Sequence, residues 1–506
     1  MVLRIGGKPC NAAVAQHICP FTLMNNNTIN PTILPRRDRA FLIGLALYVL
    51  VLHAALLAYD AANGFSPFFR VDRGAERVEA MDAVFEARDW HGIGAAIASN
   101  QIIAGEYLVQ TALFKIGGPL AVIVVQILLQ VCSVFAVYRI ASLTLNSPVL
   151  SIASAVLYAT LPHSLAFAHQ FASEALAVPL VVVGFWLFVE YLVADAPLAF
   201  LLAAGCLFGV TACIRPVMLL LPLFSSLFVI ATQRRHVLRD AIGLVVAGAL
   251  APLVLVAFIF SATHHISLGN TNSGMGYNLY LRVTRITHTL PASDREAVVA
   301  TYFGGRMNDK CSETPIQPDG SSCTLSLSDY AAFVIHYPLA SARHTFEDMV
   351  TFVAKSGVSS LTANYLDLSS KAEDIKDYKH GWRAVWESQG LFAAIRKVLE
   401  ASPLIAIIEL AGSALFLIFS CCFFAGCNQV LRRSYDHLAA RPRRIALSAL
   451  AFYPFYIFAT SQVGAYMVSR YRYPGEFAMC IIAVLGAGTL RRFLHARSDS
   501  ASSHDS

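Results

Sequence analysis

Apolar residues gather along the chain in separate, nearly unbroken runs, with polar and charged residues confined to the stretches between them. A run of about 20 predominantly apolar residues is long enough to cross the hydrocarbon of a bilayer as a helix. Runs near that length occupy 41–59, 120–138, 149–166, 175–192, 198–213, 217–231, 241–260, 404–424, 445–459 and 477–490. The pattern predicts an all-α polytopic membrane protein with about ten transmembrane helices. The first run follows Arg36, Arg37 and Arg39 and lacks a small-residue cleavage site with a polar boundary, so it reads as an uncleaved signal anchor.

Charge fixes the expected topology. Basic residues cluster as Arg36, Arg37 and Arg39; as Arg234, Arg235 and Arg239; as Arg432, Arg433, Arg441, Arg443 and Arg444; and as Arg491, Arg492 and Arg497. If the chain begins inside and its spans alternate, all four clusters fall on one side, as the positive-inside rule asks. The expectation is a multi-pass protein of the bacterial cytoplasmic (inner) membrane with both termini in the cytoplasm. The chain then divides into a disordered cytoplasmic tail (1–38, with Met24 an alternative start to Met1), an N-terminal transmembrane module (39–262) containing a first outer loop (60–119), a second outer-loop domain (263–402), C-terminal transmembrane helices (403–490) and a cytoplasmic tail (491–506). In the first loop Val78, Met81 and Phe85 recur at helical spacing against Glu76, Glu79, Asp82 and Glu86. The second loop turns around Pro315, Pro318 and Gly320 and ends near Trp382, Trp386 and Phe392. Both loops are expected to carry amphipathic helices lying at the membrane surface.

Composition narrows the classes. Of 506 residues, 56% are hydrophobic and 14% charged, with mean hydropathy +0.58, against about 25% charged in ordinary soluble chains. A cytosolic enzyme, a disordered or fibrous chain and a disulfide-stapled secreted protein are excluded. The net charge of +6 is spread over span ends, with no soluble basic module, so nucleic acid is not an expected partner. Most of the 11 cysteines sit within apolar runs as small packing residues. Cys311 and Cys323 lie in a polar stretch, where an oxidising compartment would allow a disulfide between them.

Ionisable residues at the outer boundary carry the candidate chemistry, because burial there is expensive and usually has a reason. Asp72 follows the first span, Glu174 opens the fourth, Arg215 precedes Pro216, and Arg470 and Arg472 flank Tyr471 before the last span. Two acids and three guanidinium groups are what a transfer with a phosphate leaving group requires. A carboxylate accepts the proton of an attacking hydroxyl, and planar Arg forks stabilise the departing phosphate. Plainer readings stay open. Arg215 can snorkel at a helix end, Glu174 can serve as a helix N-terminal acid, Arg470 and Arg472 can anchor at the interface, and Asp72 can be a solvated loop residue. His264 and His265 invite a metal, but adjacent loop histidines are weak ligand evidence. Asn270, Asn272 and Asn278 can contact an acceptor or simply turn the chain.

At these residues the sequence resembles the GT-C superfamily of membrane glycosyltransferases, with its nearest likeness to bacterial relatives of dolichyl-phosphate-mannose protein mannosyltransferases and of the aminoarabinose transferase. The stretches that carry the likeness are Asp72, then 105–110 with 114–118, Leu161-Pro162, Ser173-Glu174, the Gly-rich 209–216 ending in Arg215-Pro216, and 469–474 (Ser-Arg-Tyr-Arg-Tyr-Pro). The resemblance implies inverting transfer of a hexosyl or pentosyl group from a polyprenyl-phosphate donor to an envelope acceptor, whether lipid, glycan or protein, at the outer face. It casts Asp72 as catalytic base, Glu174 as a second acid near the acceptor or a metal, and Arg215, Arg470 and Arg472 as holders of the donor phosphate, with Tyr471 in support. Arg73 stands where relatives often carry a second acid, and Glu76 where many carry a Tyr, which makes Glu76 a rival base. A divalent metal is allowed by these residues but not required. The rival functions are a transporter or lipid flippase, whose charges would line a central cavity, and an inactive lipid-binding relative.

Overall fold

The computed structural model describes residues 36–69, 84–87, 89–99, 104–264, 271–303, 323–358, 361, 365, 393, 396, 403–432, 441–462 and 469–502. The chain divides into two compact units, 1–44 and 45–506, and the described part of the first is the start of the first helix. The described residues are predominantly helical and contain no strand. The protein is an all-α polytopic membrane protein.

Each of the ten apolar runs falls largely on helix, with 149–166 divided between two helices and 217–231 beginning in the 3-10 turn Pro216–Met218. Among the described residues, five helices are long and apolar enough to cross a membrane, within α1 (Arg36–Ala62), α4 (Ala104–Leu145), α7 (Ser173–Val193), α10 (Val237–Thr263) and α15 (Pro403–Leu431). The shorter apolar helices are α5 (Pro148–Thr160), α8 (Leu198–Ile214), α9 (Leu221–Ala231) and the first part of α17 (Tyr473–Ser502). α16 (Arg441–Ser461) carries the remaining run. Two breaks fall where the sequence puts proline, one just before the run 120–138 and one within the run 149–166. α4 breaks at Gly117 and Gly118, the latter at φ +62, before Pro119. The run 149–166 splits at Leu161, held extended by Pro162, into α5 and the short α6 (Pro162–Phe167).

α7 is the central helix, with 72% of its apolar window buried against 22% for α1. Its Phe185 meets Phe208 of α8, Tyr453 of α16 and Phe477 of α17 at centroid separations of 5.4, 4.5 and 5.3 Å. Such aromatic contacts add to the burial of the rings themselves. α8 and α10 approach until Gly209 lies against the backbone of Gly248 and Gly205 against that of Leu244. In a bilayer, where apolar side chains gain little by leaving lipid, small residues drive such close packing.

The segment following α10 is more than a loop. α11 (Thr271–Thr287), α12 (Ala292–Tyr302), α13 (Leu327–His336) and α14 (Pro338–Ala354) enclose a small core of Leu279, Val283, Ile286, Val298, Leu325 and Phe333. From the first long segment, α3 (Trp90–Ser99) folds back on α10, where Trp90 Nε1 donates to Ser261 Oγ at 3.1 Å. Phe85 belongs to a described helical turn and is exposed; Val78, Met81, Trp382, Trp386 and Phe392 lie outside the described residues.

Gly209→Val forces a branched side chain into the α8–α10 contact and is expected to destabilise the protein by about 2 kcal/mol, read as a lower thermal midpoint in detergent.

Candidate functional site

The bundle carries charge at both ends. At one end Glu190 of α7 accepts from Arg139 Nε at 2.6 Å and Trp186 Nε1 at 3.0 Å, and Asp240 accepts from Tyr191 Oη at 2.6 Å. Arg234 and Arg239, from one basic cluster, pair there with Asp195 and Asp240. Arg441, from the next cluster, donates to Ala231 O at 3.2 Å. Glu174 stands at the opposite end of α7, 16 residues away, which along a helix is about 24 Å.

Glu174 lies in the first turn of α7, where the helix dipole favours a carboxylate, and is fully buried. Its Oε1 is 2.5 Å from Nη1 of Arg215, and Ser173 Oγ donates to its Oε2 at 3.1 Å. Arg215 owes its position to Pro216. A residue before proline is pushed out of the α region, and Arg215 takes φ −142, ending α8 at Ile214. The turn Pro216–Met218 is then fastened by Tyr456 Oη, which donates to Val217 O at 3.0 Å. The Arg215 guanidinium lies 5.5 Å from the centroid of Tyr471, within cation–π range. Its Nε has no hydrogen-bond acceptor among the described residues. Residues far apart in sequence thus converge in one dry site built on Glu174, Arg215 and Tyr471.

Other expected members are placed differently. Arg472 is fully buried but faces away from this pair. It pairs with Glu476 Oε1 at 3.0 Å and donates to the backbone oxygens of Phe352 and of Lys355 (2.6 Å for the latter). Arg470 lies in the 3-10 turn Ser469–Arg472. Asp72, Arg73, Glu76 and Cys311 lie outside the described residues, and so do His265 and Asn270. Cys323 is buried and disulfide-bonded. Among the described residues no three His, Cys, Asp or Glu side chains are grouped as a metal site.

The loop that leads to Asp72 is nonetheless anchored beside Glu174. Phe68, fully buried, stacks edge-on against Phe171 at 5.4 Å, and Phe171 N–H donates to Phe68 O at 3.2 Å. Phe171 is three residues before Glu174.

Sequence reasoning missed a second buried cluster. His169 Nδ1 lies 2.7 Å from Asp60 Oδ2, and His169 Nε2 lies 2.9 Å from Nδ1 of His53. All three are buried. The signal was available, since His53 and Asp60 are seven residues apart on α1 and share one helix face. A third cluster ties the inter-span helices together. Arg282 of α11 pairs with Asp348 of α14 at 2.9 Å and donates to Gln462 Oε1 at 2.5 Å.

Residues 107–260, which include Glu174 and Arg215, match the family model for dolichyl-phosphate-mannose-protein mannosyltransferase. Over that segment the chain is similar to this family, in line with the GT-C resemblance. No curated protein gives a significant match to it. The matched segment holds the acid and the arginine of the dry site but neither Asp72 nor the turn 469–472.

His344 on α14 faces Asp348 and Glu347 as well as Arg282 and Arg285, and burial lowers its pKa below the ordinary 6.5. The folded state therefore binds this proton less readily than the unfolded chain. The stabilisation is present above pH 6.5 and is lost as pH falls below it. Thermal midpoints are expected to drop on acidification from pH 7 to 5, and less so in His344→Gln.

Proposed function

We propose that the chain transfers a sugar from a polyprenyl-phosphate donor to an envelope acceptor (lipid, glycan or protein) at the outer face of a bacterial inner membrane, by a single inverting displacement. The acceptor hydroxyl oxygen forms a bond to the anomeric carbon as the bond from that carbon to the phosphate oxygen breaks. The phosphate leaves with the electron pair, and the hydroxyl proton passes to a carboxylate. Asp72 is the assigned base, with Glu76 the alternative. What supports this is the anchoring of Phe68 beside the Glu174 turn, since three residues of chain beyond Phe69 reach at most about 11 Å.

The observation that carries the reading is the convergence of Glu174, Arg215 and Tyr471 at one end of the bundle, two of them within the matched segment. Glu174 and Tyr471 hold the guanidinium of Arg215 in place, leaving its Nε–H available to a phosphate oxygen of the leaving group. A preorganised donor in a water-poor site is worth about 3 kcal/mol of barrier. Arg470 is assigned to the same phosphate. The opposing charge layer, with its excess of arginine, is assigned to the cytoplasmic side.

The test is transfer from a radiolabelled polyprenyl-phosphate hexose by the purified chain in lipid nanodiscs, with lipid extract supplying acceptor. Asp72→Asn is expected to lower turnover by about 10³-fold with donor binding retained. Undiminished turnover in that variant would remove Asp72 as base and leave Glu76 to be tested in its place.

A further inference from the structure

Tyr471 and Arg472 are consecutive in a 3-10 turn, where neighbouring side chains diverge by about 120°. Tyr471 goes to Arg215, and Arg472 goes to the end of α14. Phe352 and Lys355 belong to the last turn and cap of that helix, whose final carbonyls have no partner within the helix. Arg472 supplies the partners, and its guanidinium also lies 3.7 Å from the ring centroid of Phe416. Each of its three nitrogens already has an acceptor. Two contacts extend this clamp. Glu476 Oε1 is 2.8 Å from His163 Nδ1, and the imidazole of His163 rests against Gly357, at φ +78, where any Cβ would collide with the ring. Ser420 Oγ donates to Val353 O at 2.7 Å alongside.

We propose that the turn 469–472 is a mechanical link between the inter-span helices and the dry site. Arg472, backed by Glu476 and His163, is a positioning residue. By seating the segment 352–357 it fixes the turn, and the turn holds Tyr471 over Arg215. Docking of the inter-span helices therefore sets the geometry of the Glu174–Arg215 pair. The catalytic consequence rests on the proposed transferase reading; the structural coupling does not.

The test uses Gly357→Ala, outside the dry site, and the milder Arg472→Lys, each in the full chain in nanodiscs. Amide hydrogen exchange and transfer kinetics are both measured. Exchange is expected to rise about tenfold or more in 352–358 and in 469–472 together. kcat should fall by about tenfold to a hundredfold, with donor KM unchanged. Raised exchange confined to 352–358, with 469–472 protected as in the parent, would overturn the link. So would a raised donor KM in Arg472→Lys with exchange unchanged, which would make Arg472 a phosphate ligand instead. Because exchange needs no turnover, failure of the link is separable from failure of the transferase reading.

Discussion

A carboxylate and a guanidinium taken out of water together, Glu174 and Arg215, constrain everything around them. Removing two charges from solvent costs several kcal/mol each, and their attraction offsets that only when the geometry is good and other groups complete the hydrogen bonding. The chain meets those terms with local devices. The acid sits where a helix dipole favours it, the proline after Arg215 ends α8 at the right residue, and Ser173 supplies a second donor to the carboxylate. Neither partner can be lost without stranding the other charge in the bundle.

The same pair marks the candidate-site end of the bundle off from the end that carries Glu190 and Asp240. Both ends of α7 carry buried acids, but the Glu190 and Asp240 ends of the bundle gather arginines and lie beside short connections. The Glu174 end instead receives the two long inter-span segments, through the Phe68–Phe171 contact and through Arg472. Between the ends, Phe185 and its aromatic neighbours fill the centre, so the interior there offers packing rather than a charged path. That distribution favours chemistry at one face over passage of a charged solute through the middle.

Much of this was legible in the sequence. The apolar runs located the helices, and Glu174 and Arg215 stood out because ionisable residues at a span end need a reason, whereas Tyr471 entered only in a supporting place. What spacing does not encode is side-chain direction. Within Arg470-Tyr471-Arg472 a step of one residue swings a side chain to another face, so Arg472 was expected on the phosphate and instead holds helix-terminal carbonyls. Amphipathic helices were expected in the second loop near Trp382, Trp386 and Phe392, but those at 271–354 were not located because their core is small. Leu279, Val283 and Ile286 recur at helical spacing, but among so many polar residues that hydropathy alone reads a loop. His53 and Asp60 went unnoticed for the opposite reason, being single polar residues within an otherwise apolar helix.

The most direct check on the central claim is a double-mutant cycle on thermodynamic stability, using Glu174→Gln, Arg215→Gln and the pair. A buried, directly bonded ion pair predicts that the double variant is more stable than the sum of the single losses implies, by about 1 kcal/mol or more. Losses that simply add, within about 0.5 kcal/mol, would mean that the two charges do not depend on one another and that the dry site is not built on them.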